Sequence, residues 1–149
     1  MASGFIVLRD GRCLSLVHAI HDAVVRSIAE SLEAGTPLRV WLATQTPAEG
    51  DVDLDYAFVR AGDGEQIARE LDTRALTDAN RKLFERAARD ARPLGSAHAP
   101  VENVSHGLAR LRQMLEFCDQ GRPPLELSDW RTEAPPCTRQ IGPGWTSSA

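Results

Sequence analysis

The chain has 149 residues, of which 42% are hydrophobic and 26% are charged, and this composition is typical of one globular domain that folds without a metal or a disulfide framework. Its formal net charge of -4 argues against a nucleic-acid-binding protein, because such domains present a basic surface. No apolar run approaches the roughly 18 residues of a membrane-spanning helix, and we expect no signal peptide.

The first predicted elements are a β-hairpin, a helix and a further strand. Strands over residues 5–8 and 13–17 flank Asp10-Gly11, a pair typical of a two-residue type I′ turn. Apolar side chains at helical spacing then predict a helix from about His18 to Ala34. Residues 38–42 include Val40 and Trp41, and we interpret this run as a buried strand.

The second half of the chain contains two strand-like runs and two helices. Residues 51–60 alternate strictly between apolar and other side chains, which predicts a half-buried strand. Residues 66–71 fit either a strand or one helical turn, and we favour the strand. Thr77 can accept a hydrogen bond from the first turn of a helix that runs to about Ala91. A last helix is predicted from Val101 to Asp119, with an inward face formed by Val104, Leu108, Leu111, Leu115 and Cys118.

These elements together predict a single α+β domain over residues 1–133. Its sheet would be small and mostly antiparallel, with about four or five strands packed against three helices. Residues 134–149 are rich in proline and glycine and are predicted to form an irregular C-terminal tail.

The number and spacing of the cysteines indicate the cellular compartment in which the protein is expected. Cys13, Cys118 and Cys137 are widely spaced, and no CxxC pair occurs. An odd, dispersed set is not typical of a disulfide framework or of a thiolate zinc site. We therefore expect reduced thiols in a cytoplasmic protein.

Negative charge is concentrated in residues 49–72, where eight acidic and two basic residues give a balance of -6. Asp51, Asp53 and Asp55 alternate along the predicted strand, so their carboxylates would project from one face about 7 Å apart. Such a row is compatible with a solvated sheet edge, with an acidic strip that meets a basic protein surface, or with a DxD-type site for Mg²⁺ or Mn²⁺.

Other candidate chemistry is interpreted as structural. His18, His21 and Asp22 form an HxxHD pattern, and histidines three residues apart on a helix can share a metal. However, His21 falls on the apolar face of the predicted helix and Asp22 turns away from it. No GxSxG, SxxK, GxxxxGK[ST] or GxGxxG motif occurs. We interpret the basic face of the second long helix, formed by Arg81, Lys82, Arg86 and Arg89, as solvated.

Residues 71–84, LDTRALTDANRKLF, follow the pattern LDxRxLTxxNxxLF. This segment resembles one in small immunity proteins that accompany bacterial polymorphic toxins of type VI secretion or contact-dependent inhibition systems. Residues 125–130, LELSDW, are similar to the same group. The shared pattern is that of a strand end, an N-cap and a helix start. The resemblance implies a cytoplasmic, non-enzymatic protein that binds one toxin domain, and it carries over no binding residue.

The predicted function is therefore that of an immunity protein, which neutralises a cognate toxin by covering its active site or a basic surface. The predicted partner-binding residues are Glu49, Asp51, Asp53, Asp55, Asp63, Glu65, Trp41 and Tyr56. We expect no catalytic residue, metal, cofactor, nucleic acid or membrane partner. Two alternatives stay open: a small metal-dependent enzyme that uses the aspartate row, and a self-associating structural domain with an apolar patch around Phe117.

Overall fold

The computed structural model describes residues 3–45 and 69–121. Within these ranges the chain forms three strands and four α-helices, which confirms the α+β class. In chain order they are β1 (Ser3–Val7), β2 (Cys13–Val17), α1 (His18–Glu30), α2 (Pro37–Ala43), β3 (Arg69–Asp72), α3 (Asp78–Asp90) and α4 (Val101–Asp119). A short 3-10 helix over Thr73–Ala75 joins β3 to α3.

The strands form a mixed sheet in the order β2-β1-β3. β1 pairs antiparallel with β2, with Ile6 opposite Leu14, and parallel with β3, with Ile6 opposite Leu71. The described residues contain three strands that pair in both senses, whereas the prediction is a mostly antiparallel sheet of four or five strands. A parallel pair needs a long connection, and the residues between β1 and β3 supply it. The strand predicted over 51–60 lies outside the described residues.

The predicted hairpin between β1 and β2 is confirmed, although its turn is longer than predicted. The Leu8 amide donates to the Arg12 carbonyl at 2.8 Å, and the Gly11 amide donates to the Leu8 carbonyl at 2.9 Å. Arg9, Asp10 and Gly11 thus form a three-residue turn. Gly11 has a φ of 91°, which glycine adopts without steric cost. The backbone amide of Arg12 also donates to the Asp10 carboxylate at 3.2 Å, which stabilises this longer turn.

Residues 38–42 belong to helix α2, so the buried strand predicted there is wrong. Pro37 occupies the first turn of the helix, where its fixed φ is suitable and its missing N–H is not needed. Leu38 and Leu42 are both buried, and a separation of four residues places two side chains on one face of a helix. In a strand Val40 would share that buried face, yet it is 57% exposed.

The other helices agree with the sequence, apart from the end of α1. That helix ends at Glu30, before the predicted Ala34, because the amides of Ser31 and Leu32 make i→i+3 bonds that close its last turn. Thr77 is confirmed as the N-cap of α3, since its hydroxyl accepts from the Asn80 amide at 3.2 Å. The strand interpretation of residues 66–71 is confirmed from Arg69 onward by β3, which extends to Asp72, and residues 66–68 lie outside the described residues.

The main core lies between the inner face of the sheet and the helices. The five residues predicted to face inward from α4 are all buried. Gly107 of α4 allows this helix to approach α1 closely, because a Cβ atom at Gly107 would lie 2.9 Å from the Val24 Cγ2 atom. Phe5, Val7 and Cys13 form a separate buried cluster, because the pleat of β1 and β2 turns them away from the main core. Within the described ranges no helix is long and apolar enough to cross a membrane.

Cys118 is free and buried, in agreement with the expectation of reduced thiols. Cys137 lies outside the described residues.

Candidate functional site

Most of the predicted partner-binding residues cannot be placed on the fold. Glu49, Asp51, Asp53, Asp55, Tyr56, Asp63 and Glu65 lie outside the described residues. The acidic strip therefore stays a prediction. Trp41 is described: it lies on α2, where it is half-buried and packs against the main core.

Helix α2 is firmly attached to the body of the protein. Its two buried leucines enter the core, and Arg39 reaches back to the end of α1. The Arg39 guanidinium donates to the Leu32 carbonyl at 2.7 Å and to the Glu30 carboxylate at 2.8 Å. These bonds restrict the rotation of the helix, so the position of Trp41 is well defined.

The outward side of α2 is apolar. Val40 is 57% exposed, more than any other large hydrophobic residue among the described ones, and Ala43 is exposed too. We call Val40, Trp41 and Ala43 the α2 surface. The helix ends at Ala43, and residues 46–68 that follow hold six acidic residues and one basic residue. An apolar surface on a rigid helix is thus followed directly in the chain by the acidic stretch.

The residues that carry the resemblance to immunity proteins have structural roles at the end of β3. The Asp72 carboxylate accepts from the Arg74 amide and from its guanidinium, at 2.9 Å each. Thr73 is fully buried, and its hydroxyl donates to the Val7 carbonyl at 2.7 Å. These bonds fix the exit from β3 against the neighbouring strand β1.

The second half of the same segment starts α3 and docks it. Leu71 and Phe84 are fully buried, and Thr77 caps the helix. The prediction that this pattern describes a strand end, an N-cap and a helix start is confirmed. The resemblance accordingly concerns the fold, and no binding residue follows from it.

The histidines of α1 pack inside the protein. His21 is fully buried, and its ring lies directly against Gly4 of β1, where a Cβ atom would be 2.3 Å from the His21 Cγ atom. The prediction that Asp22 turns away from the apolar face is wrong, because Asp22 is buried and its Oδ1 atom lies 3.3 Å from His21 Nδ1. Most of α1 is enclosed by the sheet and the other helices, so it has little solvent-facing side. No group of three metal-ligating side chains occurs within 3–45 and 69–121.

The basic side of α3 is partly paired. Arg81 binds Asp78, and Arg89 binds Asp119 of α4, while Lys82 and Arg86 are exposed. The interpretation of this face as solvated is therefore confirmed for Lys82, Arg86 and Arg89, which are exposed, whereas Arg81 is only partly exposed.

A set of ion pairs that the sequence did not indicate joins the hairpin turn to α3 and α4. Arg9 donates to the Glu85 carboxylate at 2.8 Å and to the Asp119 carboxylate at 2.7 Å, and Arg89 also donates to Asp119. We call Arg9, Glu85, Arg89 and Asp119 the ionic cluster. Glu85 is buried, and its second oxygen has no hydrogen-bond partner among the described residues. Arg9 is 76 and 110 positions from its two partners, so no local pattern could have revealed the cluster.

Asp10 and Cys118 lie beside the ionic cluster and influence each other. Burial raises the pKa of the Cys118 thiol to about 12, and the nearby Asp10 carboxylate adds to this effect. Burial also acts to raise the pKa of Asp10, but hydrogen bonds from Arg12 and Cys118 outweigh it, so the pKa of Asp10 is lowered. Cys118 is therefore a protonated, unreactive thiol at neutral pH.

This thiol should make the protein less stable in alkali. The unfolded chain releases the Cys118 proton near the ordinary pKa of 9.0 and the folded chain near 12, so the free energy of unfolding should fall as pH rises between these values. The contribution of one group cannot exceed about 1.4 kcal/mol per pH unit. Urea denaturation at several alkaline pH values measures it. Cys118→Ser keeps a donor for Asp10 and does not titrate, so its slope should be shallower; equal slopes in the two proteins would contradict the assignment.

Two surface features remain once the structural residues are set aside: the α2 surface, which contains the predicted Trp41, and the ionic cluster, which sequence reasoning missed. They lie on different elements of the fold. The resemblance of residues 71–84 to immunity proteins rests on their pattern alone, because no protein-family model, no curated protein and no solved structure matches this chain.

Proposed function

We propose that this chain is an immunity protein, which binds a cognate bacterial toxin domain without catalysis and covers the toxin's active site or a basic surface. The observation that supports the proposal most is the α2 surface. Val40 is 57% exposed beside the half-buried Trp41, on a helix that is hydrogen-bonded to α1. Exposed apolar and aromatic side chains on a rigid support are typical of the centre of protein-binding sites.

The acidic stretch and the α2 surface would contribute at different stages of binding. Six acidic residues against one basic residue in 46–68 attract a positively charged partner over distances near the Debye length, about 10 Å in 0.1 M salt. This attraction raises the association rate more than it raises the lifetime of the complex. Trp41 and Val40 act only after contact, by burying apolar surface, so they determine the dissociation rate.

The proposal includes a cytoplasmic site of action, since the protein would protect the cell that makes the toxin. Host protection tests this location. A cytoplasmic version and an exported version of the chain are each expressed with the toxin, and the proposal expects protection by the cytoplasmic version.

Binding is tested with the product of the neighbouring reading frame. Replacing Asp51, Asp53 and Asp55 by lysine should lower the association rate constant at least about tenfold at low salt, and the difference should shrink as salt is added. The matched control reverses three exposed carboxylates elsewhere, in the variant Asp90→Lys/Glu102→Lys/Glu116→Lys, and should leave the rate within a small factor. Equal rates for both triple variants would remove the acidic strip from the proposal.

The α2 surface is tested by the dissociation rate. Val40→Arg places a charge on the apolar surface without changing the core, and Trp41→Ala removes the aromatic anchor at a typical cost of about 2 kcal/mol in binding. Both should speed dissociation at least about tenfold. Circular dichroism checks that each variant is folded. A chain that neither binds the product nor protects the host would refute the proposed function altogether.

A further inference from the structure

The ionic cluster holds one carboxylate between two arginines. Asp119 Oδ1 accepts from Arg9 Nη2 at 2.7 Å, and Asp119 Oδ2 accepts from Arg89 Nη2 at 2.5 Å. Each oxygen of a single carboxylate is thus bound by a different guanidinium group. Charge-assisted hydrogen bonds of this kind are stronger than hydrogen bonds between neutral groups.

Asp119 is poorly suited to stay in this position. It is the last residue of α4, at the end of the helix where the dipole is negative and a carboxylate is disfavoured. Its side chain is 50% exposed, so water and salt weaken both ion pairs. The helix stops immediately afterwards at Gln120 and Gly121, where Gly121 has a φ of 67°. Terminal turns of helices fray readily. Moving the Asp119 side chain away from the two arginines therefore costs little free energy.

Other interactions would hold the Arg9 and Arg89 side chains in place if the Asp119 side chain moved away. Arg9 also donates to Glu85 at 2.8 Å, and the Glu85 side chain is only 9% exposed, so this bond is shielded from water. Arg89 lies in the last turn of α3, where the helix dipole favours a positive charge. Lys82 and Arg86 are exposed on α3. Lys82 lies four residues before Arg86 and seven before Arg89, and Arg86 lies three before Arg89, which places all three on the same side of the helix. Their charges would attract a second anion.

We propose that Arg9 and Arg89 form a carboxylate-binding site, which Asp119 occupies in the free protein and which an acidic segment of another protein takes over by displacing Asp119. The ligand class follows from Asp119 itself, since a carboxylate already satisfies both arginines. This site uses none of the residues of the α2 surface, and it does not depend on the proposed function.

The test titrates a hexaglutamate peptide into the full chain at low ionic strength and follows the arginine Nε–Hε signals by nuclear magnetic resonance. Asp119→Asn removes the internal competitor and should tighten peptide binding about fivefold, the factor expected for a partly exposed ion pair. Adding Arg89→Gln should cancel this gain. Asp90→Asn makes the same change in net charge beside Arg89 and should have a clearly smaller effect than Asp119→Asn.

Three results would overturn the site. The first is equal tightening by Asp119→Asn and Asp90→Asn, since net charge alone would then explain the binding. The second is tight binding that persists when Arg89→Gln or Arg89→Lys is combined with Asp119→Asn in a folded protein, as judged by thermal melting. The third is inorganic phosphate that binds as tightly as the peptide with the same dependence on Asp119, because the site would then be a general anion site.

Discussion

Phe84→Ala is expected to lower the free energy of unfolding by about 4 kcal/mol, the usual loss for a buried phenylalanine. Phe84 has no exposed surface and is one of the largest fully buried side chains. The other apolar residues that α3 buries are alanines, at positions 87 and 88, so the Phe84 ring supplies most of the apolar volume that docks this helix. Its removal leaves a cavity that the neighbouring alanines cannot fill.

Urea denaturation followed by circular dichroism and by tryptophan fluorescence measures the loss. Leu83→Ala is the matched control, because Leu83 precedes Phe84 on the same helix but is only partly buried. Its effect should be less than half as large. If the free energy of unfolding decreased by the same amount in the two variants, α3 would not be docked through Phe84. A loss of about 4 kcal/mol is a large part of the 5–15 kcal/mol that stabilises a typical domain, so Phe84→Ala should also accumulate poorly in cells.

Gly4→Ala is expected to destabilise the protein by about 3 kcal/mol, at the upper end of the range for overpacked cores. The added Cβ atom would lie 2.3 Å from His21 Cγ and 2.5 Å from His21 Cδ2, well inside van der Waals contact. His21 has no exposed surface, so its ring has no free space into which it can move. Either β1 or α1 must shift, and both contribute to the main core.

A double-mutant cycle with His21→Ala identifies the cause. Removing the ring makes room for the new methyl group, so Gly4→Ala should cost clearly less in the His21→Ala background, and the two effects should not be additive. Gly107→Ala provides the contrast. Its Cβ atom would lie 2.9 Å from a Val24 methyl group, and the substitution regains up to about 1 kcal/mol of helix propensity. Additive effects of Gly4→Ala and His21→Ala would show that their contact does not limit stability.

Long elements with local signals were predictable from sequence. Helix α3 has an N-cap at Thr77, an aspartate in its first turn and a buried apolar side, and all three signals lie within its own residues. Helix α4 is 19 residues long, so its apolar spacing repeats over several turns. The hairpin could be predicted because a glycine with positive φ is required between two short apolar runs.

Short elements were not predictable, and α2 is the clearest case. A run of seven residues forms too few hydrogen bonds to be stable as an isolated helix, so packing of Leu38 and Leu42 decides its conformation. The parallel pairing of β3 with β1 and the burial of Asp22 likewise depend on neighbours that are distant in sequence. The ionic cluster is the extreme example, since the pairs Arg9–Glu85 and Arg9–Asp119 carry no local signal.

The amino-acid sequence by itself determined the α+β class, the two long helices, the hairpin and the placement of negative charge in residues 49–72. These properties follow from composition and from side-chain spacing within single elements. Only the tertiary structure decided that Trp41 and Val40 lie on a helix at the surface, and that two arginines converge on Asp119. Both arrangements arise when separate elements pack together, because burial and ion pairing depend on distances in space and not on distances along the chain.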